Sequence, residues 1–293
     1  DTVDAIVTSP PYPRIRREYG RWEELDWLRW MRAVVRSARR VLKESGSMVF
    51  VIGPNVRAAG SLAPWPYQFI LDLFAADLNV VQDAYWVKVC RPPTAAIAKG
   101  YLRDAVEWCV WIGSPDCYRD RASVLLEYAE STKRLMDLAR RSRLEDGRRV
   151  SPGGISINRS RMLRDRGGAT PLNAVATANA GREAMGHPAA FPKALAEFWI
   201  KYLCPPGGVV LDPFAGSGTT CAVAKRLGRR WVGVEKIATY ARKARQRVRE
   251  APGPELSTTG GELSTIGLGS LPSPCRSGRQ NDKKPLKTKR ARK

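Results

Sequence analysis

A short apolar strand that runs into a glycine-containing loop constrains the fold of this chain more than any other feature. The apolar residues 209–211 lead to Asp212 and then to Pro213-Phe214-Ala215-Gly216-Ser217-Gly218-Thr219-Thr220, after which a helical pattern continues to Leu227. Glycines here let the backbone approach a ligand closely, and the N–H groups at the start of the helix can hold a carboxylate or phosphate. The segment therefore predicts a ligand-binding strand–loop–helix turn of an α/β fold.

An acidic residue after the next strand indicates what this turn binds. Glu235 closes the apolar stretch 231–235, and it follows Asp212 by 235 − 212 = 23 residues. An acid at this place commonly accepts hydrogen bonds from ribose hydroxyls. The additional glycine that a dinucleotide fingerprint requires near Cys221 is missing. We therefore expect a nucleoside cofactor, such as an adenosine with a carboxylate-bearing arm.

Strands and helices alternate along most of the chain, which predicts an α/β fold with a mainly parallel, Rossmann-like sheet and an antiparallel strand near its edge. The tryptophans of the first helical stripe are expected in the core. We expect Gly46 to end that helix, and we expect the strands near 80–89 and 105–112 to pair. Before the glycine loop, the predicted strands are 3–7, 47–52, 80–89 and 105–112, and the predicted helices are 27–42, 67–76 and 192–203. After the loop, a basic helix is predicted to end near Arg249.

A second motif, Thr8-Ser9-Pro10-Pro11-Tyr12, follows the first predicted strand and suits the alkylation of an amine. An aryl amine is a weak nucleophile because its lone pair is delocalised into the ring, so acceptors must draw it toward a tetrahedral shape. Ser9 can accept one amine hydrogen and the carbonyl of Pro10 the other, while Pro11 stiffens the loop and offers no competing N–H. Tyr12 provides a face on which a base can stack. The motif predicts catalysis by orientation and fixed dipoles, without a metal or a covalent intermediate. Alone, such a tetrapeptide is usually an ordinary turn.

The charge of the chain points to a polyanionic partner. It carries 50 Lys and Arg against 28 Asp and Glu, for a formal net charge of +22. Nucleic acid is the leading candidate, because basic residues release condensed counterions when they meet phosphates, although a basic balance also serves solubility alone. The sequence has no apolar run of about 18 residues and no secretory leader, so we expect a soluble intracellular protein. The six cysteines form no C-x-x-C pair, and we expect most to be small buried hydrophobes.

Together the two motifs resemble those of DNA amino-methyltransferases of the permuted β group, in which the catalytic motif precedes the cofactor loop. The likeness covers most of residues 1–250. It implies the Rossmann-like S-adenosylmethionine-dependent methyltransferase fold, circularly permuted, with S-adenosylmethionine as cofactor and duplex DNA as substrate. Ser-Pro-Pro-Tyr, rather than Asp-Pro-Pro-Tyr, is similar to the cytosine-N4 branch, although some members with this motif methylate adenine.

Further segments are similar to elements of that branch. Gly167-Gly168-Ala169-Thr170-Pro171-Leu172-Asn173 resembles a Gly-Gly-Ala-Ile-Pro-Pro-Asn element, and His187-Pro188-Ala189-Ala190-Phe191-Pro192 resembles one that lies beside the methionine part of the cofactor. Arg103, Asp104 and Glu107 fall in a segment similar to the family's strand-edge motif, and we expect a scaffold role for them. The resemblance implies that His187 shapes the pocket and that the cofactor site contains His187, Pro188, Phe191, Asp212, Pro213, Phe214, Ala215, Gly216, Ser217, Gly218, Thr219 and Glu235.

The resemblance also divides the chain. Residues 1–113 are predicted to form the catalytic half of the methyltransferase domain, 114–186 the target recognition region, 187–250 the cofactor-binding half and 251–293 a basic, disordered tail. The tail is a candidate phosphate-binding or localisation segment, and a solvated tail is the alternative. Arginines in the recognition region can read guanine edges or hold phosphates. The DNA-binding candidates are Arg159, Arg161, Arg164 and Arg166.

Two departures from the family pattern leave alternatives open. The chain starts at Asp1 and lacks the amino-terminal segment with a Gly-Asp pair that members typically carry, and Thr170 and Leu172 replace Ile and Pro. Our main hypothesis is a site-specific cytosine-N4 DNA methyltransferase. The alternatives are an adenine-N6 enzyme, a DNA-binding protein of the same fold without turnover, and an RNA or small-molecule amine methyltransferase, which the Arg-rich insert disfavours. A cognate restriction endonuclease is a candidate partner, and the expected location is the bacterial cytoplasm, at the nucleoid, or a nucleus in view of the basic tail.

Overall fold

A computed structural model describes residues 2–15, 18, 20–53, 62–89, 102, 104–134, 167–178 and 191–254. Within these ranges eight strands form one sheet. The strands are β1 Val3–Thr8, β2 Leu42–Ile52, β3 Val80–Gln82, β4 Tyr85–Lys88, β5 Val106–Gly113, β6 Ala174–Thr177, β7 Val209–Asp212 and β8 Arg230–Gly233. The helices are α1 Glu24–Arg39, α2 Trp65–Ala75, α3 Lys193–Leu203, α4 Thr219–Arg226 and α5 Ala238–Glu250, and Ala122–Val124 form a short 3-10 helix.

The strand order places the first strand of the chain inside the sheet, between β2 and β7. The order is β6-β4-β5-β2-β1-β7-β8, with β3 also paired to β5. Strand β1 is parallel to β2 and β7, and β7 is parallel to β8, whereas β5 is antiparallel to β2, β3 and β4. This confirms the α/β fold with a mainly parallel sheet. Because β1 and β7 are parallel neighbours, the loops after Thr8 and Asp212 emerge side by side at one edge.

Helices cover both faces of the sheet, and β1 contributes alternate residues to each face. Val7 packs against Trp199 and its neighbours on α3, while Ile6 packs with Trp27 of α1 and Phe69 of α2. The two clusters are separate layers of one α/β/α core. Trp27 is fully buried, as expected for the helical stripe.

The end of α1 differs from the prediction. The apolar residues Val41 and Leu42 continue the helical spacing, yet the helix ends at Arg39 and β2 begins at Leu42. The carbonyl of Val41 accepts N–H bonds from Thr2 and Val3, so pairing with β1 draws the chain into the sheet. The prediction that Gly46 ends the helix was wrong, because it lies inside β2. A Cβ there would come within 2.8 Å of the Leu42 side chain.

Three further element boundaries were sharpened by the structure. The strand predicted at 80–89 is divided into β3 and β4, and both pair with β5, which confirms the predicted pairing. The helix predicted to begin at residue 67 begins at Trp65, with Pro66 in its first turn, where a missing N–H costs nothing. Glu235 follows β8 rather than closing it.

The remaining sequence predictions meet the structure only in part. Cys109, Cys117, Cys204 and Cys221 are buried free thiols, as expected, while Cys90 and Cys275 lie outside the described residues. The range 114–186 contributes β6 to the sheet, and most of the tail lies outside the described residues. In the part of the chain that the structure describes, none of the helices has the length and apolar character needed to cross a bilayer.

Candidate active site

A buried hydrogen bond ties the catalytic strand to the cofactor strand. The hydroxyl of Thr8, at the end of β1, donates to Asp212 Oδ1 at 2.6 Å, and the Phe214 N–H donates to the same oxygen at 3.1 Å. Thr220 Oγ1, on α4, donates to the carbonyl of Val7 at 3.3 Å. These bonds fix the Ser9 loop and the glycine loop relative to each other.

Asp212 is an unusual carboxyl group because it is only 2% exposed. Burial raises its pKa from 3.8 to about 6, while the hydrogen bonds from the Thr8 hydroxyl and the Phe214 N–H act in the opposite direction. Both bonds fall on Oδ1, so Asp212 holds the end of β1 and the start of the glycine loop together.

The glycine loop requires left-handed backbone at two positions. Gly216 has φ +52° and Gly218 has φ +80°, values that glycine adopts without strain. The Gly218 N–H donates to the Ala215 carbonyl at 2.7 Å. A Cβ on Gly218 would lie 2.8 Å from Ala244 Cα of α5. The glycine thus serves both the turn and the close packing of α5.

Glu235 closes the other side of the loop. Its Oε2 accepts the Gly216 N–H at 2.8 Å and its Oε1 accepts the Ile237 N–H at 2.7 Å. An ionised carboxylate offers about four acceptor positions, so each oxygen retains capacity for a ligand hydroxyl. Glu235 can therefore shape the loop and still accept bonds from a ribose.

The loop also contains a polar atom that fits a bound ligand. Ser217 is 2% exposed, and its Oγ has no hydrogen-bond partner among the described residues. Buried hydroxyls are nearly always paired, so a polar group of a ligand would complete this one. Phe214 supplies an aromatic wall, 5.3 Å from the Trp30 ring. The loop therefore has the properties that a carboxylate-bearing adenosine cofactor needs.

Helix α1 sets the shape of the Ser9-Pro10-Pro11-Tyr12 loop. The indole N–H of Trp27 donates to the carbonyl of Pro11, and the Trp27 ring meets the Trp65 ring edge-on at 4.7 Å. The carbonyl of Pro10 accepts no hydrogen bond from the described residues. The loop therefore has one carbonyl anchored to α1 and the neighbouring one available.

The side chains of Ser9 and Tyr12 begin a hydrogen-bonded chain. Ser9 Oγ donates to the Tyr12 hydroxyl at 3.3 Å, and that hydroxyl donates to Glu107 Oε2 at 2.9 Å, with the Val51 carbonyl at 3.2 Å. Lys88 forms an ion pair with Glu107. Burial, and then the negative charge of Glu107, raise the pKa of Tyr12 well above its usual value, so the hydroxyl keeps its proton.

Most residues that the sequence singled out lie near this edge of the sheet. The Ser9–Tyr12 loop and the 212–219 loop adjoin, Glu235 bonds to the second loop, and Phe191 is buried in the core layer that contains α3. Arg103, His187, Pro188 and the four DNA-binding candidates, Arg159, Arg161, Arg164 and Arg166, lie outside the described residues.

The roles of three residues were not predicted from the sequence. Thr8 belongs to the motif, and its place at a buried strand end could have suggested its bond to Asp212. Lys88 is a charge at the end of the strand 85–88, but its partner Glu107 is distant in the chain. Trp27 gave no signal, because it has the spacing of an ordinary core residue.

The fold and the two strand-end loops define a Rossmann-like S-adenosylmethionine-dependent methyltransferase fold of the permuted group. The model of one family, described as DNA methylase, matches residues 3–246. The chain belongs to this DNA methylase family. Its motif order, with Ser9 before Asp212, agrees with the resemblance drawn from the sequence.

Individual relatives were found by sequence and by structure. The chain is 29% identical over 260 residues to the type II methyltransferase M.PvuII of Proteus hauseri, covering 82% of this chain and 76% of the relative. It is 26% identical to the DNA adenine methyltransferase YhdJ of Escherichia coli K12, covering 85% and 76%. The solved PvuII DNA methyltransferase, named cytosine-N4-specific, superposes with a TM-score of 0.61 at 22% identity, covering 84% of this chain and 79% of that one. A second solved structure is described as a DNA modification methylase of Thermus thermophilus complexed with S-adenosyl-L-methionine. It superposes with a TM-score of 0.51 at 23% identity, covering 86% of this chain and 89% of that one.

Proposed function

We propose that this protein is a site-specific DNA methyltransferase that transfers a methyl group from S-adenosylmethionine to the exocyclic N4 amino group of cytosine in duplex DNA. The observation that carries the proposal is the pair of acceptors, Ser9 Oγ and the free Pro10 carbonyl, on a loop joined to the cofactor loop through Thr8 and Asp212. Ser9 in place of an acid and the likeness to M.PvuII support cytosine.

S-adenosylmethionine is the methyl donor that this site suits. Asp212 and Glu235 hold the loop in shape, Glu235 also accepts from the ribose, and Ser217 gains the partner that its buried hydroxyl lacks. The remaining cofactor contacts are proposed from Phe191, Pro213, Phe214, Ala215, Gly216, Gly218 and Thr219, with His187 and Pro188 completing the pocket.

The target amine is prepared by two acceptors of different kinds. Ser9 Oγ and the Pro10 carbonyl each accept one amine hydrogen, which frees the nitrogen lone pair from the ring. Tyr12 supports the base from one face, with the Trp65 ring 6.0 Å behind it. A base inside a duplex cannot reach such a loop, so the target nucleotide must leave the stack.

DNA binding is proposed to rest on the basic residues of the recognition region. Arg159, Arg161, Arg164 and Arg166 contact phosphates or guanine edges, and the net charge of +22 favours association with duplex. A cognate restriction endonuclease is the proposed second partner, in keeping with the type II methyltransferase relatives, and the proposed site of action is the bacterial nucleoid.

Nucleoside analysis tests the proposal. Unmethylated plasmid is incubated with the protein and S-adenosylmethionine, digested to nucleosides and analysed by mass spectrometry. We expect N4-methyldeoxycytidine, and S9A should form none. A product consisting only of N6-methyldeoxyadenosine would instead support the second candidate, an adenine-N6 enzyme, which the similarity to YhdJ favours.

Calorimetry with S-adenosylmethionine separates an enzyme from a DNA-binding protein without turnover. We expect saturable binding, and we expect S217A to weaken it because Ser217 Oγ is buried and awaits a partner. Ser123, whose hydroxyl bonds to the carbonyls of Asp120 and Lys201, provides the matched control S123A, which should bind the cofactor normally. Duplex binding without cofactor binding would favour the protein that lacks turnover.

A further inference from the structure

We propose that Glu107 receives, through Tyr12 and Ser9, the proton that the target amine loses on methylation. The inference rests on the proposed function, in that an amino group of a DNA base is the acceptor, and it holds for cytosine or adenine. It gives Glu107 a part in the reaction beyond the scaffold role expected from the sequence.

The direction of the hydrogen bonds carries the inference. Ser9 donates to the Tyr12 hydroxyl at 3.3 Å, and Tyr12 donates to Glu107 Oε2 at 2.9 Å. Each donor therefore points toward the carboxylate, and the lone pairs of Ser9 Oγ remain free to accept an amine hydrogen. Bonds aligned in one direction polarise one another, so the chain makes Ser9 a better acceptor than an isolated hydroxyl.

The series of hydrogen bonds from Ser9 through Tyr12 ends at a buried ion pair between Glu107 and Lys88. The side chains of Glu107 and Lys88 are 12% and 9% exposed, and the Lys88 ammonium lies 4.6 Å from the centre of the Trp86 ring. A buried carboxylate is costly unless paired, and Lys88 provides that pairing before the reaction. Among the described residues, Tyr12 and the thiol of Cys109 are the other titratable groups around Glu107, and burial raises the pKa of both, so neither competes for the role of base.

The proton movement balances. Bound S-adenosylmethionine supplies a methyl group, whose carbon bonds to the amine nitrogen as the carbon–sulfur bond breaks and its electron pair goes to sulfur. The nitrogen then releases one proton to Ser9 Oγ, the Ser9 proton passes to the Tyr12 hydroxyl oxygen, and the Tyr12 proton passes to Glu107 Oε2. Glu107 becomes neutral and afterwards returns the proton to solvent. An N-protonated aryl amine is a strong acid, so even an ion-paired carboxylate is basic enough to take its proton.

The relay is tested with variants that break it at different bonds. Y12F keeps the ring but removes the hydroxyl, and E107Q keeps the shape of Glu107 but removes its charge. We expect each to slow single-turnover methyl transfer by about 10-fold to 100-fold. Because Tyr12 and Glu107 act in the same proton relay, the double variant Y12F/E107Q should transfer the methyl group no more slowly than the slower of the two single variants. The KM for duplex and the calorimetric affinity for S-adenosylmethionine should stay within about twofold, in line with a loss confined to the transfer step.

Matched controls come from α3. Y202F removes a partly buried tyrosine hydroxyl, and E197Q breaks the ion pairs of Glu197 with Lys201 and Arg226; both should transfer at the wild-type rate. If E107Q does not fold because Lys88 loses its partner, Y12F decides the question alone.

The outcomes separate this inference from the proposed function. Wild-type rates in folded Y12F or E107Q would overturn the relay, as would losses explained by a higher KM or weaker cofactor binding. Methylation of adenine by the wild-type protein would overturn the proposed base but leave the relay to be tested on that substrate. A wild-type protein that transfers no methyl group would overturn both.

Discussion

Gly218 shows how one residue can serve two demands. Its φ of +80° is left-handed, and the space for a Cβ is occupied by Ala244 of α5. Gly207 has a similar φ of +73° but nothing within 4 Å of its Cβ position. The pair separates the cost of backbone strain from the cost of a clash.

G207A is expected to lower the free energy of unfolding by about 1 kcal/mol, because alanine is strained at positive φ. G218A should lower the free energy of unfolding by ~1–3 kcal/mol more than G207A does, because α5 must also move. Urea unfolding of the two variants measures the difference. Equal losses would show that Ala244 yields without cost and that the packing argument is wrong.

Asp212 predicts a pH dependence of stability. Its pKa is raised on folding from 3.8 to about 6, so the folded protein binds the extra proton between these values. The contribution of Asp212 to the free energy of unfolding is therefore fully present below about pH 4, and it is lost as the pH rises through about 6. At 1.36 kcal/mol per pKa unit the loss is about 3 kcal/mol.

D212N has no such titration and can still accept from Thr8 and the Phe214 N–H. We expect the free energy of unfolding of the wild type, relative to D212N, to fall by about 3 kcal/mol between pH 4 and pH 7. Urea titrations at a series of pH values provide the measurement. A difference that does not change with pH would contradict the assignment.

Among the elements, α1 positions the catalytic loop through one indole N–H. W27F removes the bond to the Pro11 carbonyl, which should cost about 1–3 kcal/mol of stability. It should also slow methyl transfer about 10-fold or more, since the neighbouring Pro10 carbonyl is no longer held in place. Transfer assays and chemical unfolding test both effects.

Trp65 provides the control for this experiment. It is 1% exposed, like the fully buried Trp27, but its indole N–H has no partner among the described residues. W65F should therefore reduce stability through lost packing alone and slow transfer less than W27F. If both variants slow transfer equally, the hydrogen bond to Pro11 does not position the loop.

The elements also show what the sequence could predict. The strands 3–7 and 209–212 were recognisable because each is a short apolar run that ends at a proline-containing or glycine-containing loop. The end of α1 could not be recognised from the sequence, because Val41 and Leu42 fit helical spacing and only pairing with β1 places them in the sheet. The contact between Lys88 and Glu107 was not predicted, because it depends on the register of β4 against β5, and the sequence predicted only that these strands pair.

At the scale of the whole molecule, the net charge of +22 raises the question of which basic residues meet DNA. R161A/R164A removes two charges from the proposed recognition region. R242A/R245A removes two from α5 and serves as a charge-matched control.

We expect R161A/R164A to weaken duplex binding and to reduce the slope of log K against log salt by about 2, since each phosphate contact contributes about 0.9. R242A/R245A should change the slope less. Fluorescence anisotropy over a range of salt concentrations compares them. Equal slopes in the two variants would indicate that the net charge acts without a localised contact.

The molecule joins two strand-end loops, one that prepares an amine and one that suits a methyl donor, through the bond between Thr8 and Asp212. The central claim is that this joined site methylates cytosine at N4. Single-molecule sequencing of DNA from a methylation-deficient host that expresses the protein reports the modified base and its sequence together. We predict N4-methylcytosine at one recurring short sequence, absent when S9A is expressed. Methyladenine alone, or no modification by the wild type, would contradict the claim.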